Sequence, residues 1–172
     1  MEGEGIQQFC EELGISPLEP VILVISKHFK AETMGVFSKA EFCDGMATLG
    51  CSKIADLVNK LPELKGELDN PRKFKETYRF VFNFARDPGM RDLGFETAVA
   101  LWELLLQPKQ TMTENFIAFL KSQDKQHDIS KDTWNMLLDL FEEIGGDLKN
   151  FDEMGSWPNI IDEFVEFENS KS

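Results

Sequence analysis

Between Asp132 and Phe167 the chain reads DTWNMLLDLFEEIGGDLKNFDEMGSWPNIIDEFVEF, with acids and apolar residues threaded through one another at helical spacing. Trp134, Leu137, Leu138, Phe141 and Ile144 recur at i, i+3, i+4, i+7 and i+10, the stripe of a helix buried on one side. Asp132, Asp139 and Glu143 then fall on the solvent side. Ile160, Ile161, Phe164 and Phe167 repeat the pattern in a closing helix that turns Asp162, Glu163 and Glu166 outward. From Asp132 to Glu168 eleven acids stand against one lysine, so about −10 of the formal −13 sits in this stretch. A segment patterned this way folds as helices with a concentrated acidic face. Acids one turn apart, such as Asp162 and Glu166, repel by about 0.2–0.5 kcal/mol. A folded face of one sign attracts a basic partner by steering and complementary contact. Charge runs also serve simply as solvated faces, and charge alone leaves both readings open.

The rest of the chain is helical as well. An opening helix covers about 6–13 and stops at Gly14. A second, about 18–29, carries Val21, Ile22, Leu23, Val24 and Ile25 in succession and belongs in the middle of a fold. Ser38 and Glu41 form a capping-box pair, with Phe37 placed to staple onto Phe42. A longer, more polar helix starts at Ser52 and contains Pro62, which predicts a break or kink. Asn70-Pro71 opens an aromatic helix. Asp87-Pro88-Gly89 is a turn, and further helices follow through Trp102 and over about 113–122, 131–145 and 158–168. No run alternates at period two, so the fold class is all-α.

At 172 residues the chain suits one domain made of two halves, about 1–86 and about 87–172. Fifteen Phe against one Tyr favours packing over a polar aromatic surface. The excess of acids excludes a nucleic-acid footprint and an anionic membrane surface. Cys10, Cys43 and Cys51 lack CxxC spacing and read as reduced thiols of an intracellular protein. No secretory signal and no spanning apolar run is evident, so the expected location is cytosolic or nuclear, and no homo-oligomer is implied.

Two loops invite comparison with the twelve-residue calcium loop of an EF-hand. With Phe37 at its eighth position, Gly35 falls on the sixth and Glu41 on the twelfth, but Lys30 and Met34 occupy ligand positions. Around Phe95 the same alignment puts Pro88 and Met90 at ligand positions and Val99 where the bidentate Glu belongs. The expected loops are EF-hand-like, degenerate and metal-free. Catalysis finds no support either. His28 and His127 stand apart from any nucleophile and orienting group, and the paired carboxylates lie on solvated faces. No cofactor motif is present.

The order of motifs is more specific. Gly5-Ile6-Gln7-Gln8-Phe9-Cys10, Phe37-Ser38-Lys39, Asp44-Gly45-Met46, Phe82-Asn83-Phe84-Ala85, Lys131-Asp132-Thr133-Trp134-Asn135, Asn150-Phe151-Asp152-Glu153, Gly155-Ser156-Trp157-Pro158 and Asp162-Glu163-Phe164-Val165-Glu166 follow one another along the chain. Together they resemble the potentiating-neddylation (PONY) domain of the defective-in-cullin-neddylation proteins over essentially residues 1–172. That resemblance implies an all-helical domain of two EF-hand-like subdomains, acting as a scaffold-type ligase without a catalytic residue or cofactor of its own. It implies three partners: a cullin's C-terminal winged-helix subdomain, the N-acetylated neddylation conjugating enzyme, which holds the catalytic cysteine, and a RING partner. It implies a monomer found in nucleus and cytoplasm.

The family's cullin contact is an Asp-Ala-Asp patch, carried here onto Asp132, Ser156 and Asp162, with serine in the middle place. Its pocket for the acetylated methionine falls on Ile6, Ile22, Ile25, Ser26, Phe29, Gly35, Phe37, Phe84, Leu101 and Leu104. Ser26, Gly35 and Leu101 depart from the family's Ala, Cys and Tyr. Read from periodicity alone, the apolar members of this set are core. A generic EF-like interaction module without cullin activity is the second reading, separated from the first by charge reversal at Asp162.

Overall fold

Side chains that accept stray backbone N–H groups decide where several helices of this chain begin. In the computed structural model, which describes residues 1–172, nine α-helices form: α1 (Gly3–Leu13), α2 (Val21–His28), α3 (Lys39–Thr48), α4 (Ile54–Glu67), α5 (Pro71–Ala85), α6 (Phe95–Leu105), α7 (Thr113–Ser122), α8 (Lys131–Ile144) and α9 (Asn159–Ser170). The only β-type pairings are two isolated antiparallel bridges, so the chain is all-α. Before α3 the Ser38 hydroxyl accepts from the Glu41 N–H at 3.1 Å, and the Glu41 carboxylate accepts from the Ser38 N–H at 2.7 Å. The predicted capping box is present. The Asn70 side chain accepts from the Lys73 N–H at 3.0 Å and Pro71 takes the first helical position of α5.

The start of α4 and the expected break at Pro62 need correction. The helix begins at Ile54, two residues after Ser52. The Asp56 carboxylate gathers the Ser52 and Lys53 N–H groups and the Ser52 hydroxyl, at 2.9 to 3.1 Å, and so closes the end one turn inside. Pro62 does not break it: α4 runs through to Glu67. Proline there removes the hydrogen bond to the carbonyl of residue 58. Val58 and Pro62 are both exposed, so water can take up the freed carbonyl.

The chain divides into two compact units, Met1–Pro88 and Gly89–Ser172. In the first, α2 packs on α4 and α5, and α1 on α4. Val24, Ile25, Leu57, Tyr78, Val81 and Phe82 are wholly buried there. Phe37 and Phe42 both reach Phe9 and Phe29, with ring centroids 5.2 to 6.0 Å apart, so the staple closes onto α1 and α2. In the second unit Trp102 of α6 stacks on Trp134 of α8 at 5.4 Å and meets Phe116 of α7 edge-on at 5.4 Å, while Phe116 meets Phe164 of α9 at 5.1 Å. Four helices converge on four buried rings. Truncating one such ring to Ala costs about 3–5 kcal/mol.

Each unit contains one bridge, one residue before the Phe37 and two residues before the Phe95 on which the calcium-loop alignment is centred. In the first unit Val36, not Phe37, pairs, with Glu2. In the second Leu93 pairs with Ile129, through Leu93 N–H to Ile129 O at 2.9 Å and Ile129 N–H to Leu93 O at 2.7 Å. Phe95 has already entered α6, because Gly94 ends the loop early. The segment before α8, which reads in sequence only as a polar loop around His127, is the partner of the 87–94 loop. The arrangement is compatible with paired EF-hand-like units, each unit taken by itself.

Candidate functional site

The acidic residues collect at the end of the second unit where α8 and α9 begin. The Ser130 hydroxyl caps α8 by accepting from the Thr133 N–H at 3.1 Å. Asp132 follows in the first turn and is exposed, where the helix's positive end favours a carboxylate. Asp162 lies in the first turn of α9 and is half-buried; Glu163 and Glu166 are exposed. Helices α8 and α9 are packed together. A depression of about 660 Å³ is lined by Ser130 and Thr133 of the α8 start, Asn159, Ile160 and Glu163 of the α9 start, and the 123–129 loop. Residues adjacent in sequence to both aspartates thus share one concavity. Asp139 departs from the helical-wheel expectation. It is half-buried, with one carboxylate oxygen enclosed, because Leu137, Leu138, Leu140 and Phe141 bury a wide arc of α8.

Ser156 is exposed, in the loop that leads into α9. That loop is braced from within. The Trp157 indole N–H donates to the Asp152 carbonyl at 2.9 Å, and the Phe151 and Trp157 rings lie 5.6 Å apart. The Gly155 N–H donates to the same carbonyl at 3.0 Å, and the Met154 N–H to the Asp152 carboxylate at 3.0 Å. The indole passes so close that a Cβ on Gly155 would sit 2.5 Å from Trp157 Nε1, which explains glycine there.

The apolar set carried by the resemblance divides between the units. Eight members lie in the first. Ile25, Ser26, Phe29, Phe37 and Phe84 are buried, Ile6 and Ile22 half-buried, and Gly35 exposed. The structure joins several of them. The Ser26 hydroxyl donates to the Ile22 carbonyl at 2.8 Å, the Phe29 and Phe37 rings are 5.2 Å apart, and the Met34 N–H donates to the Phe84 carbonyl at 3.1 Å. Gly35 sits between, at φ +79°, a backbone conformation that strains any side chain. Leu101, buried, and Leu104, half-buried, lie on α6 in the second unit.

A cluster with no sequence signal holds α2 to α4. Glu67 is 6% exposed and accepts from Lys27 Nζ at 3.0 Å, while His28 Nε2 lies 2.8 Å from its other oxygen. Burial pulls this carboxyl's pKa up, but the hydrogen bonds and charges of Lys27 and His28 outweigh it and hold it below its ordinary value. Forty residues separate Lys27 from Glu67, and no local pattern announces such a pair. No grouping of three or more His, Cys, Asp or Glu side chains has metal-site geometry. No helix is long and apolar enough to cross a membrane.

Comparison with known proteins agrees with the motifs. Residues 56–167 match a family described as cullin binding. The human DCN1-like protein 5 is 38% identical over 165 residues, covering 96% of this chain and 69% of that protein. The DCN1-like protein 4 of Drosophila melanogaster is 38% identical over 164 residues, 95% of this chain and 66% of that protein. The DCN1-like protein 3 of Xenopus laevis is 38% identical over 169 residues, 96% of this chain and 56% of that protein. The family match takes in well over half of the chain and holds both α8 and the first turns of α9. The chain therefore belongs to the cullin-binding family, that of the DCN1-like proteins, and functions in neddylation as a cullin-binding co-ligase.

Proposed function

We propose that the cullin docks on Asp132, Ser156 and Asp162, and that the observation carrying this is the meeting of two acidic helix starts beside one concavity in a cullin-binding chain. The occupant is a basic face of the cullin's C-terminal winged-helix subdomain. Charge complementarity supplies on-rate and register, and the half-buried Asp162 is the acid whose reversal costs most. Titrating a cullin C-terminal domain calorimetrically into the wild type and Asp162→Lys tests it. Micromolar or tighter binding that is lost in the variant is expected; equal binding by both would overturn the proposal. Ser156 is exposed and small, so Ser156→Ala is expected to shift cullin affinity by less than about tenfold.

The apolar residues of the first unit, Ile6, Ile22, Ile25, Ser26, Phe29, Gly35, Phe37 and Phe84, are proposed to take the acetylated N-terminal methionine of the conjugating enzyme. An acetyl amide is neutral, whereas a buried α-ammonium without a partner costs several kcal/mol. The Ser26 hydroxyl is already engaged with the Ile22 carbonyl, so it offers that site an apolar flank. Peptide binding should be lost when the acetyl group is removed, which fluorescence anisotropy with paired peptides measures.

Scaffolding rather than catalysis then accounts for the activity. Holding acceptor and thioester-linked donor together raises effective concentration and restricts orientation. The reacting cysteine is the conjugating enzyme's, with a RING partner assisting transfer. In this chain burial, with Glu19 nearby, raises the Cys10 thiol pKa, and burial, with Asp56 nearby, raises that of Cys51, which disfavours both thiolates. The same reading makes the protein a monomer without cofactor that works in nucleus and cytoplasm.

A further inference from the structure

Met154 is 92% exposed, the most exposed of the chain's large apolar side chains. It projects from a loop that is not slack. Its own N–H is held by the Asp152 carboxylate at 3.0 Å, the Gly155 N–H and the Trp157 indole N–H both reach the Asp152 carbonyl, and the Asp152 N–H donates to Glu143 Oε1 at 3.3 Å. A loop braced in this way holds the backbone that carries the thioether, so little backbone entropy is lost when something covers it.

The surroundings narrow the occupant. Asp147, Asp152, Glu153 and Glu163 are exposed around the loop and the start of α9, with Lys149 the one nearby base in sequence. Ser156 is two residues away. A second copy of this chain, with formal charge −13, would press like charges together, and an anionic membrane would be repelled. A basic protein surface with apolar recesses between its lysine or arginine stems fits both the charge and the thioether.

We propose that Met154 is an affinity- and specificity-determining anchor that inserts into an apolar recess of the cullin's basic docking face, completing the contact made by Asp132, Ser156 and Asp162. This rests on the docking surface proposed above. The acids would set steering and salt dependence, and Met154 would set residence time. A cullin lacking the recess would be discriminated against at this point.

The test is calorimetric titration of a cullin C-terminal domain into wild type, Met154→Ala, Met154→Glu and Asp162→Lys at two salt concentrations, with thermal melts of all four. Peroxide footprinting of Met154 in the free and bound wild type accompanies it. Met154→Ala is expected to weaken binding about tenfold, the scale of one buried methionine. Its salt dependence and melting should match the wild type, Met154→Glu should bind weaker still, and Met154 oxidation should slow in the complex. If Asp162→Lys abolishes binding while Met154→Ala stays within about twofold and Met154 oxidises equally in both states, the anchor is refuted and the docking surface stands. If Asp162→Lys binds like wild type, the docking surface fails and takes the anchor with it. A concentration-dependent dimer that Met154→Ala dissolves would refute the anchor in favour of self-association.

Discussion

Each unit holds a single antiparallel bridge, Glu2 ahead of α1 with Val36 in the first and Leu93 with Ile129 in the second, yet the two differ in how many carboxylates they leave to the solvent. The first carries 11 basic and 14 acidic residues, a net −3; the second carries 7 and 17, a net −10. In the first, most acids are exposed, but several carboxylates are turned onto its own structure. Glu67 holds Lys27 and His28 inside, Glu41 takes the N–H groups of Ser38 and Glu32, and Asp56 those of Ser52 and Lys53. The second also ties some down: Glu168 to Asn115 at 2.9 Å and to Lys171, and Asp128, Glu143, Asp147 and Asp152 to the N–H groups of Phe95, Asp152, Lys149 and Met154. Most of its excess instead faces water on α8, α9 and the loop between them. An acid used internally stabilises one chain. An acid left outside costs a little stability through repulsion and becomes available to a partner.

The sharpest way to break this contrast is Glu67→Ala. It leaves Lys27 and His28 half-buried without their counter-charge, and the expected loss is about 2–3 kcal/mol, read from chemical denaturation. Glu166→Ala on the exposed face should change stability by under about 0.5 kcal/mol. The pH dependence follows from the depressed folded-state pKa of Glu67. Its stabilisation is fully present above the ordinary value of 4.5 and is lost as pH falls through the lower folded-state value. Glu67→Ala should therefore flatten the stability profile below about pH 4.5. An unchanged profile would mean that the cluster contributes nothing on folding.

Asp162→Lys is the complementary experiment. It should weaken cullin binding by about thirtyfold or more while leaving the melting of the protein nearly unchanged, the reverse of Glu67→Ala. If it unfolds the protein instead, Asp162 is a structural acid like Glu67, and the second unit differs from the first only in number of charges.

Some of this contrast is legible in the residues and some is not. Ser38 with Glu41 and Asn70 with Pro71 announce helix starts because capping is local, within four residues. The stripe through Trp134, Leu137, Leu138, Phe141 and Ile144 is readable because burial follows the helical period. Pro62 misleads because its cost depends on whether water reaches the carbonyl of Val58, a matter of tertiary exposure. The bridge at Ile129 hides in a polar loop. Its trace is an apolar residue ahead of a Ser-Lys helix start, Ile129-Ser130-Lys131, as in Val36-Phe37-Ser38-Lys39. Glu67 with Lys27 and the brace from Trp157 to Asp152 are invisible because they join groups by tertiary geometry rather than by period. At the candidate site, Asp132 and Asp162 read as outward acids from periodicity, but their pairing with Ser156 comes from the resemblance alone. The pocket residues look like core, and most of them are buried.

The smallest effect separates two helix starts of nearly the same sequence, Ser38-Lys39-Ala40-Glu41 before α3 and Ser130-Lys131-Asp132-Thr133 before α8. In the first the acid stands three residues after the cap and bends back onto the Ser38 N–H. In the second that place belongs to Thr133, 8% exposed and packed inward, so no acid can close the box and the carboxylate of Asp132, one place earlier, points to water. Glu41→Ala should cost about 1 kcal/mol, since two backbone N–H groups lose their acceptor. Asp132→Ala should cost about 0.3–0.5 kcal/mol, the scale of a charge near an exposed helix start. Denaturation of the two variants side by side measures the difference. Equal losses would make Asp132 a capping acid of its own helix. A smaller loss at Asp132, joined to weaker cullin binding, would tie the shift of one acid by one place to the difference between an internal clamp and an outward contact.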